Sequence, residues 1–308
     1  MSAEAKPARK TDTSYQVAAR SEEALWKRIT GRAQLLYEYR FLLQNLVVRD
    51  LKVRYKNSFL GVLWSLLNPL LMALVFSMVF RQAFGGDLRQ YYVFFLVGIM
   101  PWNFFSSALM TGTMAILQNS TLIKKVNFPR ELLIFGSVLS NLVNFLLAMV
   151  VLLAFLFFSG LGLSIHALWV PVILLIQVIF VTGLALFLGS INVFYRDVLM
   201  ILDVVMLAWF FLTPIFYPFD QFDSMNALVL FGTAFEPSQV MRWLNPMASI
   251  IDGYRTVLWG TISGGVSTAG PVPMNTLYLL RTFVTAVIVF IVGYATFLRT
   301  HRLFGERL

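Results

Sequence analysis

Cysteine is absent from the 308 residues, and the two histidines, His166 and His301, lie far apart. Disulfides and thiolate metal sites are therefore excluded, and no metal centre is expected. Charge is scarce as well. Asp, Glu, Lys and Arg make up 13% of the chain, against roughly 25% in soluble domains. With 58% of residues hydrophobic, a water-soluble fold is excluded. No GxxxxGK[ST] phosphate loop occurs, so the chain cannot cradle a nucleotide by that route, and any ATP dependence must come through a partner. Neither a catalytic residue nor a cofactor of the chain's own is expected.

What the sequence does have is long apolar runs. A bilayer core about 30 Å thick needs about 20 apolar helical residues. Six such runs stand between charged segments: 59–80, 91–117, 132–158, 169–191, 198–219 and 277–298. The expected fold is an all-α integral membrane protein with six transmembrane helices. Pro101 should kink or split the second, because its ring removes a backbone hydrogen bond. No apolar run of signal-peptide length precedes residue 58, so the first span is expected to remain as an uncleaved anchor.

The net charge of +9 is unevenly placed. With both termini cytoplasmic, all 24 Lys and Arg fall on inner segments except Arg81, Arg89, Arg242, Arg255 and Arg281. The cluster Arg49, Lys52, Arg54 and Lys56 sits directly before the first span, as the positive-inside rule requires. The charge thus marks topology, and no nucleic-acid partner is expected.

Around the span-bearing region 59–298 lie a polar extension, 1–30, an amphipathic segment, 31–58, and a basic tail, 299–308. Leu35, Leu36, Tyr39, Leu42, Leu43, Leu46 and Val47 share one arc at helical spacing. They predict a helix in the inner membrane interface or packed on a soluble partner. Between the fifth and sixth spans, residues 220–275 mix short apolar runs with Pro237, Pro246, Pro271 and Pro273. Runs this short predict interfacial or re-entrant helices.

Ionisable groups are nearly missing from the spans. Asp203 lies in the fifth, where it reaches the inner interface, pairs with Arg196 or another basic neighbour, or relays protons, and Arg281 lies near the outer end of the sixth. Aromatics, by contrast, form 15% of the chain. Six of them fall between Trp209 and Phe219, and Trp64 and Phe76 stand in the first span. Interface belting accounts for some. Flat apolar faces with polar tips would also suit stacking on sugar rings.

Several segments, in order, resemble the membrane subunits of bacterial ABC exporters for polysaccharides of the O-antigen, capsule and teichoic acid type. They are Asp50-Leu51-Lys52-Val53-Arg54-Tyr55-Lys56, Leu60-Gly61-Val62-Leu63-Trp64, Leu67-Asn68-Pro69, Phe128-Pro129-Arg130-Glu131 and Phe194-Tyr195-Arg196-Asp197. Phe211-Leu212-Thr213-Pro214-Ile215-Phe216-Tyr217 and Leu244-Asn245-Pro246, followed by Tyr254-Arg255, complete the series. The resemblance implies a homodimer around a channel in the bacterial cytoplasmic (inner) membrane, working on two copies of a separate ATPase that binds ATP and Mg. It implies a lipid-linked glycan as substrate. Lys124, Lys125, Phe128, Pro129, Arg130 and Glu131 would dock that ATPase through a coupling helix. Trp64, Trp209, Phe210, Phe211, Thr213, Phe216 and Tyr217 would line the channel. Asn245, Pro246, Tyr254, Arg255 and Trp259 would form an outer gate. The alternatives are an exporter subunit for another amphipathic cargo, such as a lipid or drug, a membrane enzyme acting on polyprenyl-linked sugars, and an ion-coupled flippase. For the enzyme, Asp220, Asp223, Glu236 and Asp252 form no recognisable catalytic pair.

Overall fold

The structure is a computed structural model that describes residues 34, 37–56, 63–83, 91–158, 165–217, 228–230, 233–235, 237–260 and 276–307. The expectations for 1–30, for Leu35 and Leu36, and for the acids Asp220, Asp223 and Glu236 lie outside the described residues. The helices are α1 (Arg40–Tyr55), α2 (Trp64–Ala83), α3 (Tyr91–Gln118), α4 (Ser120–Lys125), α5 (Glu131–Phe158), α6 (Val170–Asn192), α7 (Val198–Leu212), α8 (Pro237–Leu244), α9 (Pro246–Arg255), α10 (Thr276–Thr300) and α11 (Phe304–Arg307). Among the described residues, four helical segments are long and apolar enough to cross a bilayer: Tyr91–Gln118, Glu131–Ala154, Ile165–Asn192 and Thr276–Leu303. Leu67–Val79 within α2 and Val198–Leu212 are apolar but shorter.

The chain divides into two compact units, Met1–Asn45 and Leu46–Leu308. In the first, the Arg40 guanidinium lies 4.3 Å from the Tyr37 ring centroid and 4.6 Å from that of Phe41. It also donates to the Tyr37 carbonyl at 3.2 Å. In the second unit α3 is the core element. Phe95, Phe105, Ala108 and Ile116 on it are fully buried. Pro101 does not split α3, and the Gln177 side chain of α6 donates to the Pro101 carbonyl at 2.8 Å.

Close packing of α6 on α10 depends on two glycines. A Cβ on Gly183 would stand 2.5 Å from the Phe290 Cα, and one on Gly293 would collide with the Gly183 carbonyl. Without side chains at the crossing, the two backbones come into contact, which is how small residues substitute for a hydrophobic driving force between helices in lipid.

Two local features depart from the sequence expectation. The fifth apolar run was read as 198–219, but α7 ends at Leu212. Pro214 is the cause: it disfavours the helical conformation at the preceding residue, and Thr213 is extended, with φ −102° and ψ 130°. The all-α expectation meets one exception, a short antiparallel pair in which Leu228, Val229 and Leu230 face Phe235, Ala234 and Thr233. Segments of three residues are too short to nucleate a helix, and Val, Thr and Phe favour strands.

Candidate functional site

The break after α7 is organised by one carboxamide. Asn245 caps α9 by accepting from the Met247 and Ala248 amides at 3.1 and 3.2 Å, with Pro246 in the first turn as helix starts favour. The same Oδ1 accepts from Trp209 Nε1 at 2.8 Å. Its Nδ2 donates to Thr213 Oγ1 at 2.9 Å. Thr213 in turn donates to the Trp209 carbonyl at 2.7 Å.

Arg255, at the end of α9, is buried. Its guanidinium donates to the Pro214 and Ile215 carbonyls and lies 3.6 Å from the Phe94 ring centroid. These are carbonyls that the helix break leaves without an intrahelical partner. Gly98 of α3 makes room, since a Cβ there would come within 2.7 Å of the guanidinium. Burial lowers the Arg255 pKa to about 9, while Asp252, Tyr91 and Tyr217 pull it back up. Burial likewise pushes Tyr217 up to about 12, against the opposing pull of Arg255. Tyr254 is fully buried, which drives its pKa up. Trp259 meets the Phe94 ring edge-on at 5.2 Å. Asp252 pairs with Arg242 at 3.2 Å, and Arg281 donates to the Arg242 carbonyl at 2.7 Å.

The aromatics form two groups bridged by Trp102, which packs on both Trp209 and Phe210. Trp209 packs edge-on against Trp102, Phe105 and Phe180, at 6.4, 5.1 and 6.4 Å between centroids. Phe76 stacks on Phe95 at 4.7 Å and touches Phe216 at 6.1 Å, with Phe210 a further 6.0 Å on. Phe211 is 56% exposed and Trp64 51%, while the Tyr217 hydroxyl donates to the Phe211 carbonyl at 2.9 Å. Spacing along a helix ceases to apply at Thr213, so Phe216 and Tyr217 are placed by the break and not by the α7 periodicity. Asp203 is exposed on α7, and among the described residues it forms no ion pair with Arg196.

A polar strip that the sequence reading missed runs along α3 and α5, with Asn68 of α2 beside it and Arg54 and Tyr55 of α1 bonded to it. Asn141 donates to Thr111 Oγ1 and to the Ser137 carbonyl, both at 2.8 Å, and accepts from Arg54 at 2.8 Å. Tyr55 donates to Asn144. Two cavities share Asn141 as a wall. One, of about 230 Å³, opens between Trp64, Asn68, Asn103, Ser107 and Asn144. The other, of about 480 Å³, is lined by Arg49, Arg54, Thr111, Asn119 and Ser140. The signal was present in the sequence: Asn103, Ser107 and Thr111 recur every fourth residue, which places them on one helical face.

The turn from Asn119 to Glu131 divides its residues unequally. Lys124, Lys125, Val126 and Asn127 are exposed. Ile123, Phe128 and Glu131 are buried, which fixes the turn to the bundle. Pro129 is half-buried, and Arg130 donates to the His301 carbonyl. Arg49 holds the start of α4 by donating to Asn119 Oδ1 at 2.8 Å. Phe304, in the same tail, is buried against Phe297 and Phe194.

Comparison with known proteins agrees with this architecture. The ABC-2 type transporter family matches residues 42–259. An O-antigen export system permease protein RfbA from Myxococcus xanthus is 36% identical over 224 residues, 73% of this chain and 82% of the relative. Two proteins of the same name from Klebsiella pneumoniae are each 30% identical, over 279 and 280 residues, covering 89% of this chain and 99% of theirs. The chain belongs to the ABC-2 type transporter family of membrane proteins.

Proposed function

We propose that this chain is the channel-forming permease subunit of an ATP-driven exporter that carries a lipid-linked polysaccharide across the bacterial cytoplasmic membrane. The observation that carries the reading is the near end-to-end likeness to relatives named O-antigen export permeases, 99% of whose length is covered. Its role is transport and not catalysis. ATP and Mg belong to a separate ABC subunit, present in two copies beneath a homodimer of this chain.

In this reading α2, α3, α5, α6, α7 and α10 are the six spans, with both termini cytoplasmic, and α1 lies along the inner interface. The short helices α8 and α9 are re-entrant and close the outer mouth, where Asn245 and Arg255 tie them to the broken end of α7. Lys124 and Lys125 on the exposed turn meet the ATPase. Trp64, Phe211 and Tyr217 face the channel, whereas Trp209 and Thr213 serve the packing behind it. The test is complementation. In a host whose own copy is deleted, this chain and its ATPase together should restore surface polysaccharide, and neither should do so alone. Restoration without the ATPase, or no restoration by the pair, would overturn the proposal.

A further inference from the structure

Polar side chains inside an apolar bundle are costly unless paired, and they pair with one another, with backbone or with something in a cavity. The strip on α3 and α5, with Asn68 of α2 beside it, contains both kinds. Asn141 is buried and held by three partners. Its role is accounted for by helix packing. Asn68, exposed at the cavity mouth, and Asn103, half-buried, differ. Their carboxamides line the 230 Å³ cavity, and among the described residues they make no hydrogen bond to protein. A space of that size is several times the roughly 30 Å³ share of one water.

We propose that this cavity is a carbohydrate-binding site: Asn68 and Asn103 take hydroxyls of a neutral sugar residue while the Trp64 indole stacks at its rim. No ionisable side chain lines the cavity, so nothing there would hold a charged ligand by an ion pair. An acyl chain would leave the half-buried Asn103 carboxamide unsatisfied, which is unfavourable away from water. A carboxamide offers an acceptor and two donors, and adjacent sugar hydroxyls can meet both ends. Exposed Trp64 supplies an apolar face with a polar edge. Through Asn141 the site adjoins the larger cavity, whose walls add Thr111, Ser137 and Ser140, so hydroxyl-binding groups continue along the bundle. The site is distinct from the aromatic cluster at the end of α7. The inference rests on the export reading and names where the cargo's hydroxyls are held.

The test uses the full chain with its ATPase in a host lacking the native copy. The double variant Asn68→Leu/Asn103→Leu removes no hydrogen bond to the described protein, so assembled complex in the membrane should match wild type. Surface polysaccharide per complex should fall at least tenfold. Asn141→Leu should instead lower the amount of complex. A benzophenone amino acid at Ser107 should crosslink to polysaccharide on illumination, and one at exposed Val150 of α5 should not. If the double variant exports as well as wild type per complex, or Ser107 crosslinks only to lipid and protein, the cavity is solvated packing space and the site falls while the export reading stands. If wild type itself restores no polysaccharide, both fall.

Discussion

Asn245 concentrates more structural roles than any neighbouring side chain, because one carboxamide caps α9, receives the Trp209 indole and grips Thr213. Removing it by Asn245→Ala loses a helix cap, about 0.5–2 kcal/mol, and leaves the half-buried Trp209 indole N–H without its partner. The melting temperature of the purified chain in detergent should drop accordingly, and Asn245→Asp, which keeps the acceptor, should recover part of the loss. The aromatics divide in a similar way. Trp209→Ala empties a packed cluster, a change of about 3–5 kcal/mol, and should lower the amount of chain in the membrane. Phe211→Ala removes an exposed ring and should leave that amount unchanged while reducing polysaccharide export per complex. Equal effects of the two on abundance would show that neither ring faces a channel. Asn245 and Pro246 stand adjacent as cap and first-turn proline, a local pattern, but they entered the sequence reading only as part of a motif. Arg255 was legible only as a motif member. The carbonyls it serves lie 40 and 41 residues away in sequence, and no local pattern reports such a distance.

Among elements, the runs 91–117, 132–158, 169–191 and 277–298 were legible because length and hydropathy are local properties, and each holds a helix long and apolar enough to cross; the runs 59–80 and 198–219 hold shorter apolar helices. The end of α7 was not, since Pro214 stands within an apolar run where a spanning helix can tolerate proline. Here the backbone carbonyls freed by the break find Arg255, a partner that makes stopping the helix favourable. At the crossing of α6 and α10, Gly293→Val should prevent packing, because even a Cβ there overlaps the Gly183 carbonyl and overpacking by larger groups costs about 1–3 kcal/mol or more. Gel filtration of the detergent-extracted chain would register the failure as aggregation, and a sharp wild-type peak would contradict the packing account. The turn around α4 yields a separate expectation. Lys124→Glu/Lys125→Glu reverses charge on an exposed surface and should reduce recovery of the ATPase by pull-down with the chain still folded. Arg130→Glu should destabilise the chain itself, because Arg130 is committed to the C-terminal tail. Sequence alone grouped the three cations, since only the fold reveals that Arg130 reaches the C-terminal tail.

For the molecule as a whole, the account requires that energy and passage reside in different chains. This one supplies a helical bundle with a polar strip, an aromatic break and an exposed basic turn; it carries no phosphate loop. Purified alone it should hydrolyse no ATP, and co-purified with its ABC partner it should form a complex that does. The most direct measurement is movement of the cargo itself. Inverted membrane vesicles containing both chains and a labelled lipid-linked polysaccharide would be given ATP, and label protected from an added glycosidase would be counted. The account predicts protection that requires ATP, the partner and this chain together. Protection without ATP or without the partner, or none with all three present, would contradict it.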